Sequence, residues 1–125
     1  MSQHKPKILT RDEWRREQDL CHSPGCKTRT RMSVHEIIGG SDRSRTVMLA
    51  PFWLWLCIHH HNLLGSRPNQ QQLVRQLAIK MWADPDNYDP KAVIKLWRPN
   101  GTADLVREVI ADAAIEHAKI ARECS

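Results

Sequence analysis

Two short spacings of soft ligands constrain this chain more than anything else in it. Cys21 and Cys26 bracket the sequence HSPG, and Cys57 and His60 stand three apart in LCIHHHNLLG. Pro24-Gly25 forces a turn between the first two cysteines. The second pair falls at an expected strand-to-helix junction. Each pair makes a compact knuckle, and the two together can close one tetrahedral site of three cysteines and one histidine, an established structural zinc set. The competing reading is buried free cysteines with surface histidines. The opening MSQHKPKILTRDEW has no apolar signal-peptide core, and no run approaches the ~18 apolar residues of a membrane span. A cytoplasmic, non-secreted protein with no membrane partner is therefore expected. Thiols stay reduced there, which favours a metal over a disulfide. Cys124 has no partner in this scheme.

The histidine run then divides. Adjacent residues on a helix diverge by ~100°, so if His60 holds zinc, His61 faces elsewhere. It is free to turn toward the segment carrying His35 and Glu36. His59 diverges again, toward solvent.

The rest of the chain places these residues on elements. Residues 1–9 read as a basic tail. TRDEWRREQDL reads as a short helix with Thr10 and Glu13 in capping-box spacing. MSVHEII reads as a strand ended by Gly39-Gly40. VMLAPFWLWLC contains a second strand, in which Phe52, Leu54 and Leu56 alternate with Trp53, Trp55 and Cys57. Both of its faces are apolar, so it is expected to be covered on both sides. IHHHNLL suits a short helix stopped by Gly65. Asn69 can cap a helix that aligns Leu73, Leu77 and Met81. Asp89-Pro90 opens another helix, through Trp97. Thr102 caps a last one, with Leu105, Val109 and Ile110 turned inward. The C-terminal helices carry no chemical motif and are expected to be scaffold or homodimer contact. The tryptophans, Trp53 and Trp55 included, are expected in the core rather than stacked on bases.

Charge adds a partner. Residues 1–50 hold 10 Lys and Arg against 6 Asp and Glu, while residues 51–125 hold 9 against 8. The basic excess lies beside the cysteines and suits a polyanion such as DNA. Lys27, Arg29 and Arg31, with Arg43 and Arg45 in the polar loop 39–46, are the expected phosphate contacts.

The order of the motifs, CHSPGC then VHEIIGG then LCIHHHN, resembles the HNH endonuclease family, and most of all its zinc-stapled phage-type members. The similarity covers about residues 14–83. It implies an α+β protein with a small ββα-metal core (the HNH or His-Me finger fold), a structural zinc site and flanking helices. The expected divisions are a tail at 1–9, the nuclease core at 10–83 and a helical extension at 84–125. It also implies a metal-dependent DNA endonuclease or nickase in a bacterial or phage-infected cell. By the family pattern, His61 is the final histidine and His35-Glu36-Ile37 the first motif. Zinc falls to Cys21, Cys26, Cys57 and His60, and Asn62 supports the site from outside the ligand set.

Two positions depart from the pattern. Phe52 stands nine residues before His61, where the family has asparagine. The first motif is His35-Glu36 rather than Asp-His or His-His. Taken literally, His35 ligates the ion and Glu36 is the base; shifted by one residue, His35 is the base and Glu36 a ligand. The catalytic set expected is thus His35, Glu36 and His61 around a divalent ion, which can be Mg²⁺, Mn²⁺, Ni²⁺ or Zn²⁺. The alternatives are a catalytically weakened, zinc-stapled DNA-binding relative and a zinc-organised interaction module that does not touch nucleic acid.

Overall fold

The structure, a computed structural model, describes residues 10–37, 50–64, 69–96 and 103–124. Thr10 opens helix α1 (Arg11–Arg16): its side-chain oxygen accepts from the Glu13 backbone N–H at 3.2 Å, and its hydroxyl donates to the Glu13 carboxylate at 3.0 Å. The expected pair therefore meets side chain to side chain. Strands β1 (Met32–Glu36) and β2 (Trp53–Cys57) form an antiparallel sheet with Met32 opposite Cys57 and Glu36 opposite Trp53. Phe52 lies in a 3-10 turn, Ala50–Phe52, rather than in the strand. It is buried there, and its carbonyl still accepts from the Ile37 N–H at 2.8 Å. The five helices of the described residues around this two-stranded sheet make an α+β fold.

Alternation along the strands gives the sheet two unlike faces. Val34, Glu36, Trp53 and Trp55 point to one. There α1 adds Trp14, fully buried, with its ring edge-to-face at 5.5 Å from Trp53 and 6.3 Å from Trp55. Ser33, His35, Leu54 and Leu56 point to the other. Helix α2 (Ile58–Leu64) leaves β2 directly, and its first N–H bonds the Arg31 carbonyl at 2.9 Å. Helix α3 (Gln70–Ala83) lies against this second face, burying Leu73, Gln76 and Leu77. Every residue of β2 is buried, as its two apolar faces require.

Asn69 caps α3 in a full capping box with Gln72. Helix α4 (Pro90–Leu96) contributes Val93 to the core, and α5 (Ala103–Glu123) packs along α3. The buried stripe of α5 is Val106, Val109, Ala113 and Ile120, with Ile110 partly buried against the same core. Of the expected Leu105, Val109 and Ile110, the last two face the core, while Leu105 is half-buried and its neighbour Val106 takes the inward place. One hydrophobic cluster runs from Ile37 and Leu54 through Leu77 to Val93, Val109 and Ile120. Residues on both sides of position 83 contribute to this cluster. No helix among the described residues is long and apolar enough to cross a membrane.

The expectations placed on Gly39-Gly40, Arg43, Arg45, Gly65, Trp97 and Thr102 lie outside the described residues.

Candidate metal centre and the paired histidines

The first knuckle is built by the backbone. Gly25 sits at φ +80°, a conformation that glycine adopts without strain. Cys26 N–H bonds the Ser23 carbonyl at 3.0 Å, and Cys21 N–H bonds the Thr28 carbonyl at 2.9 Å. His22 ties this turn to β2. Its N–H donates to the Trp55 carbonyl at 2.7 Å, and its Nδ1 accepts from the Trp55 N–H at 3.0 Å. Nε2 therefore carries the proton and faces Gln18 Oε1 at 2.8 Å. Burial first, then the nearby Lys80 charge, push His22 down to about 4 against the opposing pull of Asp84. The ring is a neutral strut rather than a ligand.

The second knuckle is the β2–α2 junction, which carries Cys57 out of the strand and His60 on the first turn of the helix. The ligand atoms of Cys21, Cys26, Cys57 and His60 all lie within 4.8 Å of one another. His60 Nδ1 is 3.2 Å from Cys57 Sγ and 3.6 Å from Cys21 Sγ. Zinc–sulfur bonds near ~2.3 Å and zinc–nitrogen bonds near ~2.0–2.1 Å set tetrahedral ligand separations of roughly 3.5–3.8 Å. The four groups fit that ion. Their protonation chemistry agrees. Burial pushes the Cys21 thiol up to about 11, so its thiolate needs a cation beside it. At Cys26 burial also acts upward, but hydrogen bonding to the hydroxyl and backbone of Thr28 outweighs it and brings the thiol down. Cys124 is exposed and stands outside the cluster.

On the α3 side of the sheet, His35 and His61 come together with ring centroids 5.1 Å apart, edge to face. His61 Nδ1 lies 2.5 Å from Ser33 Oγ, whose hydroxyl also reaches the Leu56 carbonyl at 3.4 Å. With the hydroxyl proton on Leu56, Ser33 accepts from His61 Nδ1–H, and Nε2 of His61 keeps its lone pair. His35 is buried, and its Nε2 lies 2.9 Å from Gln76 Oε1 of α3. Burial holds the His35 imidazole below its ordinary range against the raising influence of Gln76.

The other expected site residues are placed differently. Glu36 follows His35 on the strand and so points to the tryptophan face. There its carboxylate pairs with Arg11 at 2.6 Å, and the Arg11 guanidinium lies over the Trp53 ring. The Glu36 charge still acts on His35, in the direction that raises the imidazole pKa, but the carboxylate stands on the opposite face of the strand. Asn62 and His59 are exposed on α2. Lys27, Arg29 and Arg31 are exposed on the segment leading into β1, with Arg29 paired to Asp19 at 2.9 Å. Among the described residues, only the zinc-type cluster gathers three or more metal-ligating side chains. Sequence reasoning missed Ser33 and Gln76. Ser33 was findable, because it sits two residues before His35 on the same strand face. Gln76 was not, since its position depends on how α3 docks.

Comparison with protein-family models, with curated proteins and with solved structures gives no match.

Proposed function

We propose that this protein is a metal-dependent DNA endonuclease or nickase of HNH type, with its cutting site at His35 and His61. The observation that carries the reading is the meeting of these two imidazoles on one side of a two-stranded hairpin whose base bears a zinc-fitting cluster. The motif order gives the same assignment. His61 Nε2 and the free nitrogen of His35 would hold the ion. When bound, such an ion polarises a phosphate oxygen and lowers the pKa of a bound water. The protein's own contribution is to fix the two rings: Ser33 of β1 meets His61, and Gln76 of α3 meets His35. Lys27 and Arg31, with the loop 39–46, would supply sequence-independent phosphate contacts.

One observation favours a second reading. Glu36 is turned onto the opposite face and Phe52 is core, so neither of these two positions brings a carboxylate or amide beside the two histidines. A catalytically weakened, DNA-binding relative has this arrangement.

Supercoiled plasmid separates the two. The zinc-loaded chain is incubated with Mg²⁺, Mn²⁺ or Ni²⁺, with and without chelator. Nicking that needs the added metal, and that falls by at least ~100-fold in His61→Ala and in His35→Ala, supports the enzyme. Binding at low salt without nicking under every metal supports the weakened relative. In either case Glu36→Gln is expected to alter stability rather than nicking, because Glu36 bonds Arg11 across the far face.

A further inference from the structure

Gln76 is fully buried on the face of α3 that meets the sheet, in a setting of Leu54, Leu73 and Leu77. Its Oε1 faces His35 Nε2 at 2.9 Å, while its own Nε2 meets no hydrogen-bond partner among the described residues. An orphaned amide donor in such a place is destabilising, and a leucine or methionine would pack there without that penalty. The group that distinguishes Gln76 from an apolar residue is the oxygen held against His35. We infer that Gln76 is a positioning residue: it keeps the His35 proton on Nε2 and thereby leaves Nδ1 as the nitrogen with a lone pair to share with an ion beside His61. Ser33 Oγ meets His61 at the other nitrogen, Nδ1, and with its own proton on the Leu56 carbonyl it would leave Nε2 free in the same way. The two histidines are thus oriented by neutral partners drawn from separate elements, one from β1 and one from α3. A partner of this kind fixes the tautomer and direction of a ligating imidazole, and its loss typically costs 10–100-fold in metal affinity.

The inference rests on the proposed role of the His35–His61 pair, and the test keeps the two apart. The first measurement is the long-range nitrogen–proton NMR spectrum of the zinc-loaded full chain, with no second metal added. His35 is expected as the Nε2–H tautomer in the wild type and in Gln76→Glu, which retains an acceptor oxygen. It is expected to shift toward Nδ1–H or to a mixture in Gln76→Leu, while the His61 signals stay in place. The second measurement is Ni²⁺ binding by calorimetry to the same zinc-loaded proteins. Gln76→Leu is expected to weaken it by about 10-fold or more and Gln76→Glu to restore it. A wild-type His35 in the Nδ1–H form overturns the inference, as does a folded Gln76→Leu with unchanged tautomer and unchanged Ni²⁺ affinity. If Gln76→Leu does not fold, Gln76→Met takes its place, and the wild-type spectrum still decides. A tautomer that follows Gln76 in a protein that binds no Ni²⁺ supports the positioning role and overturns the metal-dependent function instead.

Discussion

Lys80 is the residue whose environment departs most from its chemistry. It is fully buried, yet every strong contact is met: Nζ reaches the Trp53 carbonyl at 2.7 Å and Asp84 Oδ2 at 2.6 Å, and lies over the Trp14 ring at 4.9 Å. Asp84 in turn accepts from Trp14 Nε1 at 2.8 Å and from Asn87 Nδ2 at 2.9 Å. Removing one member of a buried ion pair leaves the other uncompensated, so Lys80→Met is expected to cost about 3–5 kcal/mol in chemical denaturation. Adding Asp84→Asn should recover part of that loss, since the lone buried charge is then gone. Tyr88 shows the opposite case. Its buried hydroxyl finds no partner among the described residues, and burial, helped by Asp89, pushes it up to about 12. Tyr88→Phe is expected to stabilise by about 1 kcal/mol at neutral pH. The sign of the pH effect follows from proton binding. Between about pH 10 and 12 the unfolded chain releases the phenol proton while the folded chain keeps it, so wild-type stability falls as pH rises. Denaturation across that window should show a slope in the wild type that Tyr88→Phe lacks.

At the scale of elements, the knuckle turn, β1, β2 and α2 form one unit that relies on α1 and α3 to cover the two apolar faces of β2. A two-stranded hairpin is marginal by itself. The unit is held by His22 across Trp55, by Arg31 at the start of α2 and by the metal-fitting cluster. A structural zinc supplies about 10–16 kcal/mol of apparent binding energy at neutral pH, against the 5–15 kcal/mol that a whole domain typically holds. An ion held by that cluster would therefore weigh in the folding of this unit on the scale of a whole domain's stability. Elemental analysis is expected to find about one zinc per chain in the wild type and little in Cys26→Ala, with a large fall in melting temperature that chelator reproduces in the wild type. A Cys26→Ala protein that keeps its melting temperature would show that packing alone suffices.

At the scale of the molecule, α5 closes the core rather than extending it. Val106, Val109, Ala113 and Ile120 seal α3, and Arg75 pairs with Glu116 at 2.6 Å across the two helices. Each fully buried aliphatic side chain contributes about 1.5–3 kcal/mol. Val109→Asp places a charge where no partner waits, and it is expected to lower stability by more than 4 kcal/mol or to prevent folding, read by urea titration. Because α3 also carries Gln76, a shift of α5 would be felt at His35. The buried stripe of α5 thus serves the scaffold role expected of the C-terminal helices.

Much of this was legible along the chain because it depends on near neighbours. The knuckle spacings, the Pro24-Gly25 turn, the cap at Asn69 and the double-sided burial of β2 follow from local geometry and period-two alternation. So does the divergence of His60 from His61. Strand alternation also contained the separation of Glu36 from His35, although the family pattern drew them together. Tertiary structure alone decided what faces those residues. The docking of α1 gave Glu36 to Arg11, that of α3 set Gln76 on His35 and Lys80 under Trp14, and that of α5 gave the inward place to Val106 rather than Leu105. Such choices turn on packing between elements tens of residues apart, where spacing along the chain carries no information about angle or depth.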